Sequence, residues 1–515
     1  MSQRYDVIVI GAGLGGLSAA ATLARAGLGV RLLERHTQPG GYATSFYRAP
    51  YEFEVSLHEL SGIGTEGNRG PLWNKLEELG VTDRVDFVPI PVLYRSVAEG
   101  LDFELPADKE GALDALLTAF PKERRGVTRL MRQLYRIRED TQNLLGLPGH
   151  YPSTSQVVLK FPTLAHAATC PLSSLLYREI RDPLARLAIG QLWTYFGLPP
   201  SRLSLLYFAG AVTSFLTYGA CYPRGKSQSL SNALADVIRE AGGVVSLGNG
   251  ARRILTEAGR VTGVVTDHEE RLEAPMVVAN VNPVTTALDL IGAEQMPPSF
   301  LERISRVEPS MSAVCVHLGL SADREQLGLR DHEVFVNGTL DPEAQYEAAG
   351  RLDPPDSFLI TSYNVVHPEF SPSGTSVVSV SAPAIGRAWT DVQPDRYATL
   401  KHRFTEALVS GAAKRYPAFR DHLDVVVTTT PVTNMRYTGN PDGAIYGFAM
   451  TPQENPAFRL AQRGPLDGLY FAGAWTQPGG GYETTVGSGY DAAHLVLEAL
   501  QQASARRGTS SGVSV

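Results

Sequence analysis

The stretch YDVIVIGAGLGGLSAAATLARAGLGVRLLERHTQPGG, residues 5–41, decides the fold of the chain. Its apolar run at 6–10 predicts a buried parallel strand, because the run is too short for a helix. Gly11, Gly13 and Gly16 follow directly in the G-x-G-x-x-G spacing. In this pattern the glycines allow a tight turn, an approach of backbone to a pyrophosphate, and close packing of a helix on a strand.

A helix over 14–26 and a second strand over 30–33 are predicted next. The positive N-terminal end of that helix would face a diphosphate. Glu34, at the tip of the second strand, is placed to accept hydrogen bonds from ribose hydroxyls. A glycine turn alone is a weak signal, but strand, turn, helix, strand and acid in this order predict a dinucleotide-binding unit.

The composition narrows the class of protein. The chain has 515 residues, of which 43% are hydrophobic and 19% charged, and this length predicts two or three domains. A net charge of −7 and a pI near 5.9 leave no basic surface for nucleic acid. The three cysteines form no C-x-x-C, so neither a disulfide framework nor a metal site is predicted. The folded pattern starts at Tyr5, too early for a signal peptide, and we expect a cytoplasmic location.

One stretch, residues 203–222, carries no charged residue and is long enough to span a bilayer. It contains several serines, threonines, glycines and tyrosines and stands alone in an otherwise polar chain. We therefore expect a buried helix that lines an apolar substrate cavity, with shallow attachment to a membrane surface as an alternative that stays open.

Three separated blocks of sequence are predicted to build the nucleotide domain. A capped amphipathic helix, a hairpin that turns at Gly259 and a short strand over 276–279 make up the middle block. The predicted bounds of the domain are 1–77, 219–289 and 436–503. The insertions 78–218 and 290–435 together form a substrate domain, and the small polar stretch 504–515 is expected to be a disordered tail.

Several absences decide which dinucleotide is bound. No second strand–glycine–helix unit occurs, so the chain lacks a separate nicotinamide domain, and without a C-x-x-C it is not a disulfide reductase. The turn and helix that follow residues 469–475 offer a second helix N-terminus, which can hold the pyrimidine edge of a flavin ring. The prediction is FAD.

The motifs resemble one family of flavoproteins, the phytoene desaturases, carotenoid isomerases and retinol saturases, which are related to the amine oxidases. The resemblance is carried by GAGLGGLSAAATLARAG with Glu34, PGG at 39–41, YEFEVSLHEL at 51–60, YPRGKSQSLSNALA at 222–235, VVANVNP at 277–283, NPDGAIYGF at 440–448 and YFAGAWTQPGGG at 470–481. It implies an α/β fold with a discontinuous, Rossmann-like FAD domain of the glutathione-reductase type. An α+β substrate domain with a mixed sheet would be inserted into it.

The resemblance also implies which residues bind FAD. They are Gly11, Ala12, Gly13, Leu14, Gly15, Glu34, Arg35, Gly40, Gly41, Tyr42, Ala43, Ser56, His58, Ala251, Gly473, Ala474, Tyr482, Glu483, Thr484 and Thr485. The chain departs from the family at Tyr42, where a basic residue often follows PGG, so backbone and helix dipole would have to meet the phosphate charge. The segment F-E-V-S-L-H is more similar to the saturases and isomerases than to the desaturases.

Proton chemistry is predicted for two residues near the flavin ring. His58 is the first candidate, since the family places its segment beside the ring, and Tyr446 is the second. A purely structural hydrogen bond by His58 stays open, and Glu59 is expected to be structural or to face solvent. His166 and His317 have no metal-ligand spacing, and no metal is predicted.

Three reactions are compatible with this sequence. The first is desaturation or dehydrogenation of a carbon–carbon bond in an apolar polyene, isoprenoid or natural product, with O2 or a quinone as electron acceptor. The second is isomerisation or saturation without net oxidation, which the segment around His58 favours. The third is oxidation of an amine or natural product.

Overall fold

The computed structural model describes residues 3–145 and 154–510. Five strands form a central sheet in which every adjacent pair is parallel. Across the sheet their order is Val244–Ser246, Val30–Leu33, Val7–Ile10, Met276–Ala279 and Leu469–Phe471. These strands come from three distant parts of the chain. The predicted α/β class is confirmed, and the sheet is discontinuous in sequence.

Helices cover this parallel sheet, and two of them lie against each other. Leu14–Arg25 follows the glycine turn and is rich in alanine, with every residue up to Ala24 buried. Tyr482–Ser510 packs across it, and the Ser18 hydroxyl donates to the carbonyl of Val486 at 2.8 Å. The helix Lys226–Glu240 also contacts Leu14–Arg25. The two ends of the chain are therefore packed together in one layer.

A smaller sheet of four strands lies beside the parallel one. Its strands, in order, are Gln3–Arg4, Arg271–Glu273, Arg260–Thr266 and Ala251–Glu257. The last two are the predicted hairpin, which turns at Gly259 with a φ of +76°.

The third sheet is mixed and has seven strands drawn from both insertions. In order they are Leu101–Pro106, Val92–Ala98, Glu333–Val336, Phe358–Ser362, Ser376–Ala384, Ser312–Leu320 and Leu423–Thr429. Only the pairing of Val92–Ala98 with Glu333–Val336 is parallel among these adjacent strands. Residues on both sides of the middle block thus meet in one sheet, while the exact domain bounds stay a prediction.

Helices dominate the first insertion. They are Lys109–Ala119, Arg124–Leu145, Thr154–Lys160, Pro162–Thr169, Ser173–Glu179, Pro183–Gly190, Trp193–Phe196 and Leu205–Tyr218. The uncharged stretch at 203–222 forms the last of these, mostly buried, and then the strand Ala220–Pro223, which pairs with Phe87–Ile90. Within residues 3–145 and 154–510, no helix is both long and apolar enough to cross a membrane. The prediction of a buried helix is confirmed.

Short elements complete the fold. The remaining α-helices are Pro71–Glu78, Pro283–Thr285, Pro298–Ser305, Pro342–Ala349, Gly386–Thr390, Pro394–Arg415, Phe419–His422 and Pro431–Thr438. Most begin with proline, which has no N–H to leave unpaired in a first turn. Two small hairpins pair Ser45–Arg48 with Tyr51–Glu54, and Gly64–Thr65 with Asn68–Arg69.

The final helix, Tyr482–Ser510, extends into the stretch 504–515 that was predicted to be a disordered tail. Helical backbone through Ser510 is a finding that the composition of the stretch did not indicate. Residues 511–515 lie outside the described residues, and the prediction is not tested there.

We expect Gly489→Ala to destabilise the protein. A Cβ on Gly489 would overlap the carbonyl oxygen of Gly15 and would lie 2.9 Å from the amide nitrogen of Ala19, so the two helices would have to separate. Overpacking of this kind costs about 1–3 kcal/mol in the free energy of unfolding. Denaturant unfolding followed by circular dichroism measures it.

Gly487→Ala is the matched control on the same helix. Its Cβ would meet nothing closer than the Lys75 side chain at 3.7 Å, an ordinary contact. Alanine is the better helix former by about 1 kcal/mol, so this variant should be neutral or more stable than the parent. Equal stability of the two variants would contradict the assigned helix packing.

Candidate active site

A cavity of about 1800 Å3 opens at the carboxyl ends of the parallel strands, where ligands bind in open α/β sheets. All the residues assigned to FAD from the sequence line this cavity except Ala12, and so does Tyr446. Ala12 is fully buried behind the glycine loop. Its N–H donates to the Glu34 carboxylate at 2.7 Å, and its carbonyl accepts from the Gly40 N–H at 2.7 Å.

The glycine loop leaves no room for side chains. A Cβ on Gly15 would lie 2.7 Å from both the backbone nitrogen and the Cα of Gly473, and a Cβ on Gly16 would overlap the carbonyl oxygen of Gly11. Gly11 and Gly473 both have a φ of +91°, a conformation that side chains rarely adopt. The turn after the first strand and the turn after the last strand therefore touch backbone to backbone.

Asn280 locks these turns together, and the sequence reasoning missed its role. Its backbone N–H donates to the carbonyl of Ile10 at 2.8 Å. In one orientation of its amide, the side-chain oxygen accepts from the Gly13 N–H at 3.2 Å and the nitrogen donates to the Ala472 carbonyl at 3.3 Å. The residue stands in the VVANVNP motif, so the signal was present in the sequence.

Glu34 lies in the wall of the cavity at the tip of the second strand of the parallel sheet. Backbone N–H groups of Ala12 and His36 donate to its two carboxylate oxygens at 2.7 and 2.8 Å, which fixes the side chain at the tip of its strand. Arg35 points elsewhere, because its guanidinium donates to the carbonyls of Arg436 and Tyr437 at 3.3 and 3.1 Å. Glu34 is thus held where a sugar hydroxyl could reach it.

Two helix N-termini open on the same cavity. One belongs to Leu14–Arg25, whose first turn contains no acidic residue. The other belongs to Tyr482–Ser510, where the hydroxyls of Thr484 and Thr485 donate to the carbonyls of Gly480 and Gly481 at 2.7 Å each. Helix N-termini attract negative charge. Both helices therefore bring the positive end of their dipole to the cavity, and the second also has the Glu483 side chain in its first turn.

Tyr42 connects the loop after the second strand with Ser56 and Tyr482. Its carbonyl accepts from the Ser56 hydroxyl at 2.9 Å and from the Tyr482 hydroxyl at 3.1 Å. Its own hydroxyl lies 3.1 and 3.2 Å from the carbonyls of Gly443 and Ala444. Burial raises the pKa of the Tyr42 and Tyr482 phenols above the usual range, so both stay neutral hydrogen-bond donors.

Arg459 is a buried cation that the sequence reasoning did not single out. It is 2% exposed, and its guanidinium donates to the carbonyls of Tyr446, Phe448 and Ala474 at 3.1, 2.9 and 2.7 Å. These carbonyls belong to two of the motifs that border the cavity. The Arg459 side chain thereby fixes the position of Tyr446 against the last strand. No short sequence motif predicts this role of Arg459.

His58 lies in the cavity wall, and its Nδ1 is 2.5 Å from the Thr361 hydroxyl and 3.6 Å from a Glu333 carboxylate oxygen. Burial, with the neighbouring His332 and His317, lowers the pKa of His58 to about 3. The imidazole is therefore neutral at physiological pH. Glu59 does not face solvent as one alternative expected: it is 7% exposed, and the Tyr195 hydroxyl lies 3.0 Å from it.

A mostly apolar arm of the cavity runs between the helices of the first insertion. Among the side chains that line it are Leu144, Val157, Leu164, Leu206, Phe215 and Phe458. Some lining side chains also reach the surface, with Leu145 64%, Val158 52% and Phe458 58% exposed. The arm therefore connects the protein surface with the site around His58.

A second cavity, of about 1030 Å3, lies on the side of the seven-stranded sheet. It shares Tyr42, Ser56, His58, Tyr195 and Tyr446 with the first cavity, so these residues form the partition between the two. His58 and Tyr446, the two candidates for proton chemistry, thus border both cavities.

The parallel sheet, the glycine loop and the paired helix N-termini define a dinucleotide-dependent enzyme. The chain belongs to the family of flavin-containing amine oxidoreductases, whose model matches residues 14–497. The prediction of FAD as cofactor is confirmed, and the protein is an FAD-dependent oxidoreductase. Which residues contact FAD stays a prediction.

Individual relatives cover nearly the whole chain. The all-trans-retinol 13,14-reductase of Danio rerio is 23% identical over 507 residues, which cover 92% of this chain and 82% of the relative. The 4,4'-diaponeurosporene oxygenase of Staphylococcus aureus strain MW2 is 27% identical over 518 residues, with 95% and 97% covered. The predicted resemblance to enzymes of this kind is confirmed.

Solved structures share the fold. An oxidoreductase from Methanosarcina mazei superposes with a TM-score of 0.64 at 17% identity, covering 96% of this chain and 100% of the other. Cyclohexylamine oxidase from Brevibacterium oxydans gives a TM-score of 0.62 at 18% identity, with 96% and 99% covered. At such identities the likeness concerns the fold alone.

We expect Gly15→Ala to lower the affinity for FAD. The added methyl would push the first helix away from Gly473, where the Cβ would lie 2.7 Å from backbone atoms. A strain of about 1–3 kcal/mol corresponds to a loss of roughly five- to 150-fold in affinity. Flavin absorbance per protein after dialysis measures the loss. Gly487→Ala should keep its flavin, and a Gly15→Ala protein as yellow as the parent would contradict the assigned contact.

Proposed function

We propose that the protein is a desaturase or dehydrogenase that acts on a carbon–carbon bond of an apolar substrate, a polyene or isoprenoid. The observation that carries this proposal is the apolar arm, which leads from the surface to His58 between the helices of the first insertion. Its walls suit a long hydrocarbon better than a small polar molecule. The names of the relatives, a retinol reductase and a diaponeurosporene oxygenase, support the same substrate class.

In this proposal the residues assigned from the sequence hold FAD. The glycine loop at 11–15 and the N-terminus of Leu14–Arg25 take the diphosphate, Glu34 takes the ribose, and Ala251 lies at the adenine. The N-terminus of Tyr482–Ser510 takes the pyrimidine edge of the ring. The close fit of the glycine turns supports this assignment, since any Cβ would fill the space. Bound FAD would supply acceptance and release of a hydride.

The chain's own residues would orient the substrate and manage its proton. The apolar arm would exclude water. It would also direct the hydrocarbon toward the residues that form the partition between the two cavities. His58 would take a proton at Nε2, because its Nδ1 is already engaged with the Thr361 hydroxyl. Tyr446 is the second candidate at the partition, and burial raises the pKa of its phenol, so it would act only as a neutral hydroxyl.

Saturation or isomerisation without net oxidation is the second candidate function. The observation that favours it is the set of buried carboxyls beside His58, which can hold a proton for delivery to a carbon atom. The name of the retinol reductase supports it as well. Oxidation of an amine, the third alternative, has support from the family match and the shared fold.

We also propose peripheral contact with a membrane surface, from which an apolar substrate would enter the arm. Leu145, Val158 and Phe458 all line the cavity and are exposed, and Leu159, next to Val158 in the sequence, is 81% exposed. Apolar side chains that line a cavity and reach the surface are typical of an interaction surface. We also propose a cytoplasmic location for the protein, and O2 or a quinone as its electron acceptor.

Anaerobic mixing of the purified yellow protein with reduced polyenes tests the reaction. Bleaching of the flavin by substrate alone is expected for a desaturase. Turnover only with pre-reduced flavin, and without net electron uptake, would replace desaturation by isomerisation. With a substrate that bleaches the parent, His58→Gln should slow bleaching by roughly 10²–10⁴-fold while keeping its flavin. An unchanged rate of bleaching would show that His58 has only a structural role.

Vesicle sedimentation tests the membrane proposal. Val158→Asp should lower binding to phosphatidylcholine vesicles by about tenfold or more, because a methyl-rich contact is replaced by a charge. Val426→Asp is the matched control: Val426 is 42% exposed on the strand Leu423–Thr429, away from the arm. Equal binding by both variants, or no binding by the parent, would contradict the proposal.

A further inference from the structure

Two buried glutamates meet at one phenol beneath the proposed active site. The Tyr195 hydroxyl lies 3.0 Å from Glu59 Oε1 and 2.7 Å from Glu333 Oε1. Glu59 is 7% exposed and Glu333 is 1% exposed. They come from distant parts of the sequence, since Glu333 begins the strand Glu333–Val336 in the mixed sheet. The fold therefore brings two buried carboxyls to one hydroxyl.

The hydrogens around Tyr195 do not suffice for two ionised carboxylates. A phenol has one hydrogen to donate, and an ionised carboxylate can only accept. If both glutamates were ionised, Tyr195 could satisfy one of them and its oxygen would face the other without a hydrogen between. One additional proton resolves the conflict, because a protonated carboxyl donates to the Tyr195 oxygen while the phenol donates to the other carboxylate. The Oε2 atoms of Glu59 and Glu333 have no partner among the described residues.

The surroundings offer no cation to either carboxylate. Within residues 3–145 and 154–510, the one ion-pair contact of Glu333 is with the neutral His58, and Glu59 has none. The other titratable groups that face the pair are Tyr94, Cys221, Tyr363 and Tyr446. Burial raises the pKa of Glu333, and burial and the charge of Glu333 raise the pKa of Glu59 well above its usual value, so the first proton stays on the pair. A buried pair of carboxyls with one proton is the arrangement that this environment favours.

We propose that Glu59 and Glu333 share one proton across Tyr195 and that this acid pair accepts the proton that His58 takes from the substrate. Glu333 Oε1 is 3.6 Å from His58 Nδ1, and the Thr361 hydroxyl lies 2.5 Å from the same nitrogen. The His58 ring also stacks on the Tyr195 ring, with centroids 6.0 Å apart. Thr361 also hydrogen-bonds to Glu333 through its side chain, so its hydroxyl connects His58 with the pair.

The transfer balances in protons and charge. A proton leaves a substrate carbon for His58 Nε2, the hydrogen on His58 Nδ1 moves to the Thr361 oxygen, the Thr361 hydroxyl hydrogen moves to Glu333, and the imidazole ends neutral. The acid pair passes from one negative charge to none, which its burial favours. The two electrons leave the substrate with its second hydrogen, as the proposed desaturation requires, so the pair handles only the proton. This inference rests on the proposed function in placing His58 at the reacting carbon.

Infrared spectroscopy of the purified holoenzyme without substrate tests the shared proton. The parent at neutral pH should show the band of one protonated carboxyl that Glu59→Gln and Glu333→Gln both abolish. Either glutamine brings an N–H that donates to Tyr195 in place of the acid, so the remaining carboxyl can ionise. Loss of the band in only one of the two variants, or a band that survives in both, would overturn the proposal. Glu66→Gln, at an exposed position, should leave the band unchanged.

Tyr195→Phe and the pH dependence of unfolding keep the inference testable if a glutamine variant folds poorly. Tyr195→Phe preserves the ring and both acids, and should shift the carboxyl band because its hydrogen-bond partner is gone. A carboxyl whose pKa is raised on folding makes stability fall as pH rises above the pKa of the unfolded chain, because the unfolded chain has already released the proton. Glu333→Gln should flatten that slope, and an unchanged slope would count against the pair.

A substrate that bleaches the flavin allows a kinetic measurement. Glu333→Gln should lower the maximal rate by about 10²-fold and leave the apparent substrate affinity unchanged. A change in affinity alone would assign Glu333 a structural role. Because the infrared measurement uses no substrate, failure of every polyene to react would refute the proposed function and leave the shared proton to be judged by itself.

Discussion

Contact between the two ends of the chain governs the rest of the structure. The helix that follows the first glycine turn lies against the final helix so closely that the carbonyl of Gly15 touches Gly489. The turn before each helix is pressed against the other, at Gly15 and Gly473. One turn alone would not hold FAD, because the flavin ring at one end of the molecule is separated by the ribityl chain from the diphosphate in its middle. The contact sets the distance between the two helix N-termini and therefore the length of the cavity.

The same closure determines the chemistry of the wall. His58, Glu59 and Glu333 come from the outer segment of the nucleotide domain and from the mixed sheet, and they are buried where these parts meet. Burial keeps the imidazole neutral and raises the pKa of Glu333 toward that of a base useful at physiological pH. Exposed on a surface, these residues would titrate independently. Here each group's protonation depends on its neighbours.

The dinucleotide end could be read from local sequence. Gly11, Gly13 and Glu34 sit in one short stretch in which the required conformations follow from spacing alone. Asn280 and Arg459 could not be recognised in this way, since an asparagine or an arginine has no function until its partners are known. Asn280 contacts turns from both ends of the chain, and Arg459 binds three carbonyls from two motifs. The prediction for Glu59 rested on its position in the sequence alone and could not include the strand Glu333–Val336, which buries it.

The sequence by itself determined the nucleotide-binding unit, the cofactor, the family and the burial of the uncharged helix. Each of these depends on residues within a short stretch or on motifs that the family shares. Tertiary structure alone decided the partition between the two cavities, the apolar arm and the meeting of Glu59 with Glu333 at Tyr195. The physical reason is the distance along the sequence over which the interactions act. Backbone conformation and helix dipoles are set by neighbouring residues, whereas desolvation and hydrogen-bond complementarity depend on segments that lie hundreds of residues apart.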